Sequence, residues 1–61
     1  MPQLDYGIYR IFPNGASVWV ENANDLQAAR IRATQLAHKS SGQFAVYDPR
    51  NPARAVFEMK P

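Results

Sequence analysis

The one histidine of this 61-residue chain, His38, is followed closely by Ser40 and Ser41, and an imidazole beside a hydroxyl is the first half of a nucleophile–base pair. Such a pair needs a third group to orient the imidazole, and none can be assigned. A metal centre lacks ligands as well, because the chain has no cysteine and no second histidine. His38 is better read as a cationic residue at a helix end, where it meets the partial negative charge of the terminal carbonyls, with Ser40 and Ser41 in the turn that follows. The carboxylates Asp5, Glu21, Asp25, Asp48 and Glu58 are scattered, and Asp25 and Asp48 have structural uses at a helix start and in a turn. Gly7, Gly15 and Gly42 are too dispersed to cradle a phosphate, and neither a P-loop nor a dinucleotide pattern occurs. The expectation is a protein that is not an enzyme and that carries no cofactor and no metal.

A different chemistry comes from aromatic and basic side chains. Arg10 and Trp19, with Tyr6, Phe12 and Tyr47, are residue types that stack on nucleic-acid bases, while Arg30, Arg32, Arg50 and Arg54 are suited to phosphates. Seven Lys and Arg against five Asp and Glu is an ordinary balance, however, and no basic cluster or nucleic-acid motif is present. What these residues can do depends on the elements that carry them.

Leu4 to Phe12 and Ala16 to Glu21 are rich in β-branched and aromatic residues and are separated by Pro13-Asn14-Gly15, a hairpin signal in which Asn-Gly suits a two-residue type I′ turn. Asn24 with Gln27 three positions on resembles a capping box, and Asp25 to Lys39 contains neither Gly nor Pro, so a helix is expected there. Gly42 is the expected left-handed stop. Gln43 to Tyr47 and Ala53 to Lys60 read as two further strands around a proline-bounded turn, Asp48-Pro49-Arg50-Asn51-Pro52. The order is ββαββ, and residues 1–61 are expected to form one α+β domain, a four-stranded antiparallel sheet with one helix packed on one face.

Helical spacing places Leu26, Ala29, Ala33, Leu36 and Ala37 on one stripe, so the helix approaches the sheet through small side chains and the strands supply the bulk. Ile31 stands alone on the outer helix face, as single exposed apolar residues often do. A two-residue turn sets Ile11 opposite Val18, Arg10 opposite Trp19 and Tyr9 opposite Val20, which gives Tyr9, Ile11, Val18 and Val20 to the core. In the second hairpin Phe44, Val46, Ala55, Phe57 and Met59 fall on the helix side. The outer face then carries Tyr6, Ile8, Arg10, Phe12, Trp19, Tyr47 and Val56, with Arg10 in cation–π contact with Trp19. Glu21 and Glu58 share that face and Arg32 points away from it, which favours a protein partner over nucleic acid.

With this layout, YGIYRIFPNGASVWVE, DLQAARIRATQLAHKSSG and QFAVYDPRNPARAVF together resemble short uncharacterised bacterial proteins with the same ββαββ order. The resemblance implies the fold and a bacterial cytoplasmic setting, and it implies no catalytic residues. The opening MPQLDYG lacks the basic and apolar segments of a secretion signal, and no apolar run approaches a membrane span, so a cytoplasmic protein without membrane contact is expected. A chain this short has a marginal core and no disulfide or metal to support it, which leaves self-association as the remaining source of stability. The functional expectation is a non-enzymatic interaction module, a homodimer through its outer sheet face or the mate of another protein, with nucleic-acid binding as the alternative.

Overall fold

A computed structural model describes residues 5–60. The elements are β1 (Tyr6–Ile11), β2 (Ser17–Ala23), α1 (Leu26–Ser40), β3 (Gln43–Asp48) and β4 (Asn51–Met59). The strands form one antiparallel sheet in the order β2-β1-β3-β4 with α1 across one face. This is the expected α+β arrangement, with element bounds close to those read from composition; Leu4, the expected start of the first strand, lies outside the described residues.

The helix begins one residue later than the Asn24 cap implied. Asp25 is the cap, extended at φ −146° and ψ 170°, and its Oδ1 accepts from the backbone N–H of Ala28 at 2.8 Å. The left-handed position at the far end is Ser41 (φ 51°), not Gly42. Gly42 has a different reason to be glycine: a Cβ there would sit 3.1 Å from Nη2 of Arg10. Along α1 the fully buried residues are Ala29, Ala33 and Ala37, with Leu26 and Leu36 packed at the margins, as the spacing indicated. The bulk beneath the alanines comes from Ile8, Phe44 and Val46, with Phe57 and Met59 beside them.

The facing of β1 is the opposite of the sequence expectation. Gly15 N–H donates to the Phe12 carbonyl (2.9 Å) and Phe12 N–H to the Ala16 carbonyl (2.8 Å), so the loop has three residues, Pro13-Asn14-Gly15. Proline's fixed φ suits the second position of an ordinary turn, and only Gly15, at φ 89°, takes the left-handed conformation that closes such a hairpin. Ile11 consequently pairs with Ser17, Arg10 with Val18 and Tyr9 with Trp19. One residue of slip carries every β1 side chain to the other face. Ile8 is therefore sealed in the core with Tyr6 packed against it, and Arg10 lies on the helix side, while Tyr9 and Ile11 face outward.

A register shift between Ile8 and Tyr9 leaves Val20 as the extra residue of a bulge and turns Glu21 toward the helix, where its Oε1 lies 3.1 Å from Nε of Arg32. Val18 does lie on the helix side, but the helix does not reach it and half its surface stays exposed. The second hairpin follows expectation for Phe44, Val46, Phe57 and Met59, whereas Ala55 pairs with Tyr47 and faces outward because Val56 is bulged out between register positions.

The turn can be tested alone. Nothing lies within 4 Å of a Cβ built on Gly15, so a side chain there meets only the backbone cost of positive φ. Gly15→Val should destabilise the protein by roughly 1 to 3 kcal/mol in urea unfolding, and Gly15→Asn by clearly less, because asparagine tolerates this conformation.

Candidate functional site

The sheet face away from α1 carries Tyr9, Trp19 and Tyr47 on three adjacent strands. Tyr9 and Trp19 are direct cross-strand partners, and the rings of Tyr9 and Tyr47 meet edge to face, 5.3 Å between centroids at 82°. Tyr9 lies over Gly7, where a Cβ would come within 2.9 Å of its ring, so the absence of a side chain at 7 is what lets the tyrosine lie down. The Trp19 indole N–H donates to Oδ1 of Asn22 at 2.9 Å, a contact that satisfies its polar edge, and the residue as a whole stays 55% exposed. Two shallow hollows open among these rings, one of about 290 Å3 floored by Tyr9, Ser17, Tyr47, Pro52 and Ala53 and one of about 160 Å3 reaching Asp5, Trp19 and Pro49.

Of the seven residues expected to form this face, the structure brings only Trp19 and Tyr47 together on it. Ile8 is core, Tyr6 packs against the core, and Arg10 and Phe12 lie toward the helix end of the sheet. Val56 is half exposed at the β4 bulge. Tyr9 is the outward residue that sequence reasoning placed inside, and the signal for it was Pro13: a proline directly before Asn-Gly favours the longer loop, and with it the shifted register.

Four of the five arginines are committed elsewhere, and the fifth, Arg54, lies exposed on β4. Arg32 pairs with Glu21, and Arg30 lies over the Phe57 ring at 5.1 Å. Arg10 stacks not on Trp19 but between Phe12 (5.1 Å) and Phe44 (5.9 Å). Each such contact stabilises by about 0.5 to 2 kcal/mol according to its desolvation. Against that, Nε of Arg10 is buried with no hydrogen-bond partner, an omission that costs about 1 to 3 kcal/mol or more for a charged group.

Arg50 closes the β3–β4 turn. Its Nε and Nη2 each lie 3.1 Å from an Asp48 carboxylate oxygen, its backbone N–H donates to Asp48 Oδ1 at 2.9 Å, and Nη2 reaches the Tyr6 hydroxyl at 3.3 Å. The side-chain and then the backbone hydrogen bonds from Arg50 hold the Asp48 carboxyl below its ordinary value of 3.8. A carboxylate whose pKa is lowered by folding adds stability that is complete above the unfolded value and is lost as pH falls through the folded one. Asp48→Asn should therefore leave the protein less stable near neutrality and shrink that deficit below about pH 4, read as melting temperature against pH.

His38 lies exposed in the last turn of α1 with Lys39, and among the described residues no group of three or more His, Cys, Asp or Glu is placed to hold a metal ion. No described helix is long and apolar enough to cross a membrane. No protein family, curated protein or solved structure matches the chain.

Proposed function

We propose that this protein is a non-enzymatic interaction module that pairs with a second copy of itself through the uncovered sheet face. The observation that carries the reading is the aromatic group Tyr9, Trp19 and Tyr47 on a face that α1 leaves open. The chain exposes 4364 Å2, against about 4000 Å2 for a compact monomer of its mass. The proposal includes a bacterial cytoplasmic setting, which is supported by the resemblance to short bacterial proteins alone.

Nucleic-acid binding on the same face is the weaker reading. Arg10, Arg30, Arg32 and Arg50 are all turned to other partners, and the register aligns Glu58, through Ala45, with Tyr9 on the outer side. Of the five arginines only Arg54, exposed on β4, is left to meet the phosphates of bases stacked there. Sedimentation equilibrium tests the proposal, accompanied by titration with single-stranded and duplex nucleic acid at two salt concentrations. A concentration-dependent dimer with negligible nucleic-acid affinity is expected. A monomer at high micromolar concentration, or tight binding that weakens steeply with salt, would overturn it.

A further inference from the structure

The helix-side end of β1 holds a cation, Arg10, with no counter-charge among the described residues. Arg10 is pressed between the rings of Phe12 and Phe44 and against Gly42, whose position allows the guanidinium to lie 3.1 to 3.3 Å from where a Cβ would stand. Its Nε is sealed from solvent and unpaired. Among the described residues no carboxylate approaches it. Glu21 is paired with Arg32, Asp48 with Arg50 at the opposite end of β3, Asp25 caps the opposite end of α1, Asp5 precedes the opposite end of β1, and Glu58 aligns through Ala45 with Tyr9 on the other face of the sheet. The same end of the molecule gathers His38 and Lys39 from the last helical turn and Lys60, which follows Met59, the strand partner of Phe44. A cleft of about 370 Å3 opens there, lined by Arg10, Ile11, Phe12, Pro13, Ser41, Gly42 and Gln43.

We propose that this cleft is an oxyanion-binding site, in which the Arg10 guanidinium receives the phosphate or carboxylate group of a small ligand. A guanidinium held between two rings is pre-organised, so little side-chain freedom remains to be lost when ligand oxygens align with its terminal Nη groups, the sealed Nε taking no part. Ser41 and Gln43, which carry neutral donor groups, line the same cleft, and Ile11, Phe12 and Pro13 supply apolar surface beside it. The carbonyl end of α1 contributes a partial negative charge, roughly half an elementary charge. Three full positive charges, on Arg10, Lys39 and Lys60, outweigh it at this end. Arg10 and Tyr9 alternate to opposite sides of the sheet, while Ile11 and its strand partner Gln43 fall on the Tyr9 side, so the cleft lies at the end of the sheet and borders the outer face.

The test is a titration of the protein with inorganic phosphate and, separately, with benzoate, followed by amide and arginine Nε–H resonances at low ionic strength against a chloride control. Saturable shifts confined to Arg10, Ser41, Gly42 and Gln43 are expected. Phosphate alone saturating would identify a phosphate ligand, and benzoate alone a carboxylate on an apolar body. Arg10→Lys keeps the charge and removes the fork, and should weaken binding at least tenfold. Gly42→Ala, which crowds Nη2, should weaken it several-fold and serves if the Arg10 variant does not fold. Shifts that never saturate, shifts spread equally over Arg30, Arg32 and Arg50, undiminished binding by Arg10→Lys, or binding of nucleic acid without either small anion would each overturn the proposal.

Discussion

Ile8→Ala is expected to remove about 3 kcal/mol of stability, with an unfolding midpoint far below that of the parent protein. Ile8 is completely buried, it sits on the central strand β1, and its cross-strand partner is Val46, the other large side chain that is fully sealed. Truncating a buried isoleucine costs about 2 to 5 kcal/mol, and the alanine stripe of α1 above it has no long side chain to fold into the space. A chain of this length has roughly 3 to 9 kcal/mol of stability in total, so the change consumes a large share. Urea unfolding followed by Trp19 fluorescence, at matched protein concentration, measures it. Ile31→Ala is the comparison, since Ile31 is more than half exposed and its truncation should cost less than about 0.5 kcal/mol. Equal effects at the two positions would mean that β1 presents its other face to the helix.

Trp19→Glu is expected to leave the protein folded and convert a dimer to a monomer. The indole ring is mostly solvent-facing within one copy, and its side-chain hydrogen bond is to exposed Asn22, so the fold has little to lose. In an interface, by contrast, a central tryptophan commonly contributes about 2 kcal/mol or more, some 30-fold in affinity. A carboxylate left in its place must be desolvated against Tyr9 and Tyr47, which raises the cost further. Sedimentation equilibrium and circular dichroism on the same sample separate loss of association from loss of fold. A variant that associates as strongly as the parent would remove the aromatic face as the interface. A loss of nucleic-acid binding with the mass in solution unchanged would transfer the face to the other reading.

The elements were legible because their signals are local. The Ala29, Ala33 and Ala37 spacing, the Pro-Asn-Gly interruption and the Pro49 turn each specify structure within a few residues. The composition of the outer face was not, because it depends on a register that one residue decides. Asn14-Gly15 fits a two-residue turn on its own, and only the proline before it, which places Asn14 at negative φ, selects the longer loop. The bulge at Val20 compounds the change by turning Glu21 inward to Arg32, a pairing between residues eleven apart that no short-range pattern announces. Arg10 was misread for the same reason: its place between Phe12 and Phe44 requires β3 to lie beside β1, which is a property of the strand order.

That strand order also shapes how the chain reaches its native state. β1–β2 and β3–β4 are hairpins whose ends are brought together by short loops, whereas β1–β3 joins segments separated by the whole of β2 and α1. Loop-closure entropy grows with the logarithm of length, so joining Phe12 to Gly42 costs about 2 kcal/mol more than closing the three-residue turn. The search is therefore concentrated on a single seam, the one where Ile8 meets Val46 and Arg10 meets Phe44. Two locally formed halves must dock there before either has a core, and α1 spans the gap between them as a stiff strut that shortens the search. On this strand order the folding barrier is expected in the meeting of the halves rather than in the making of either.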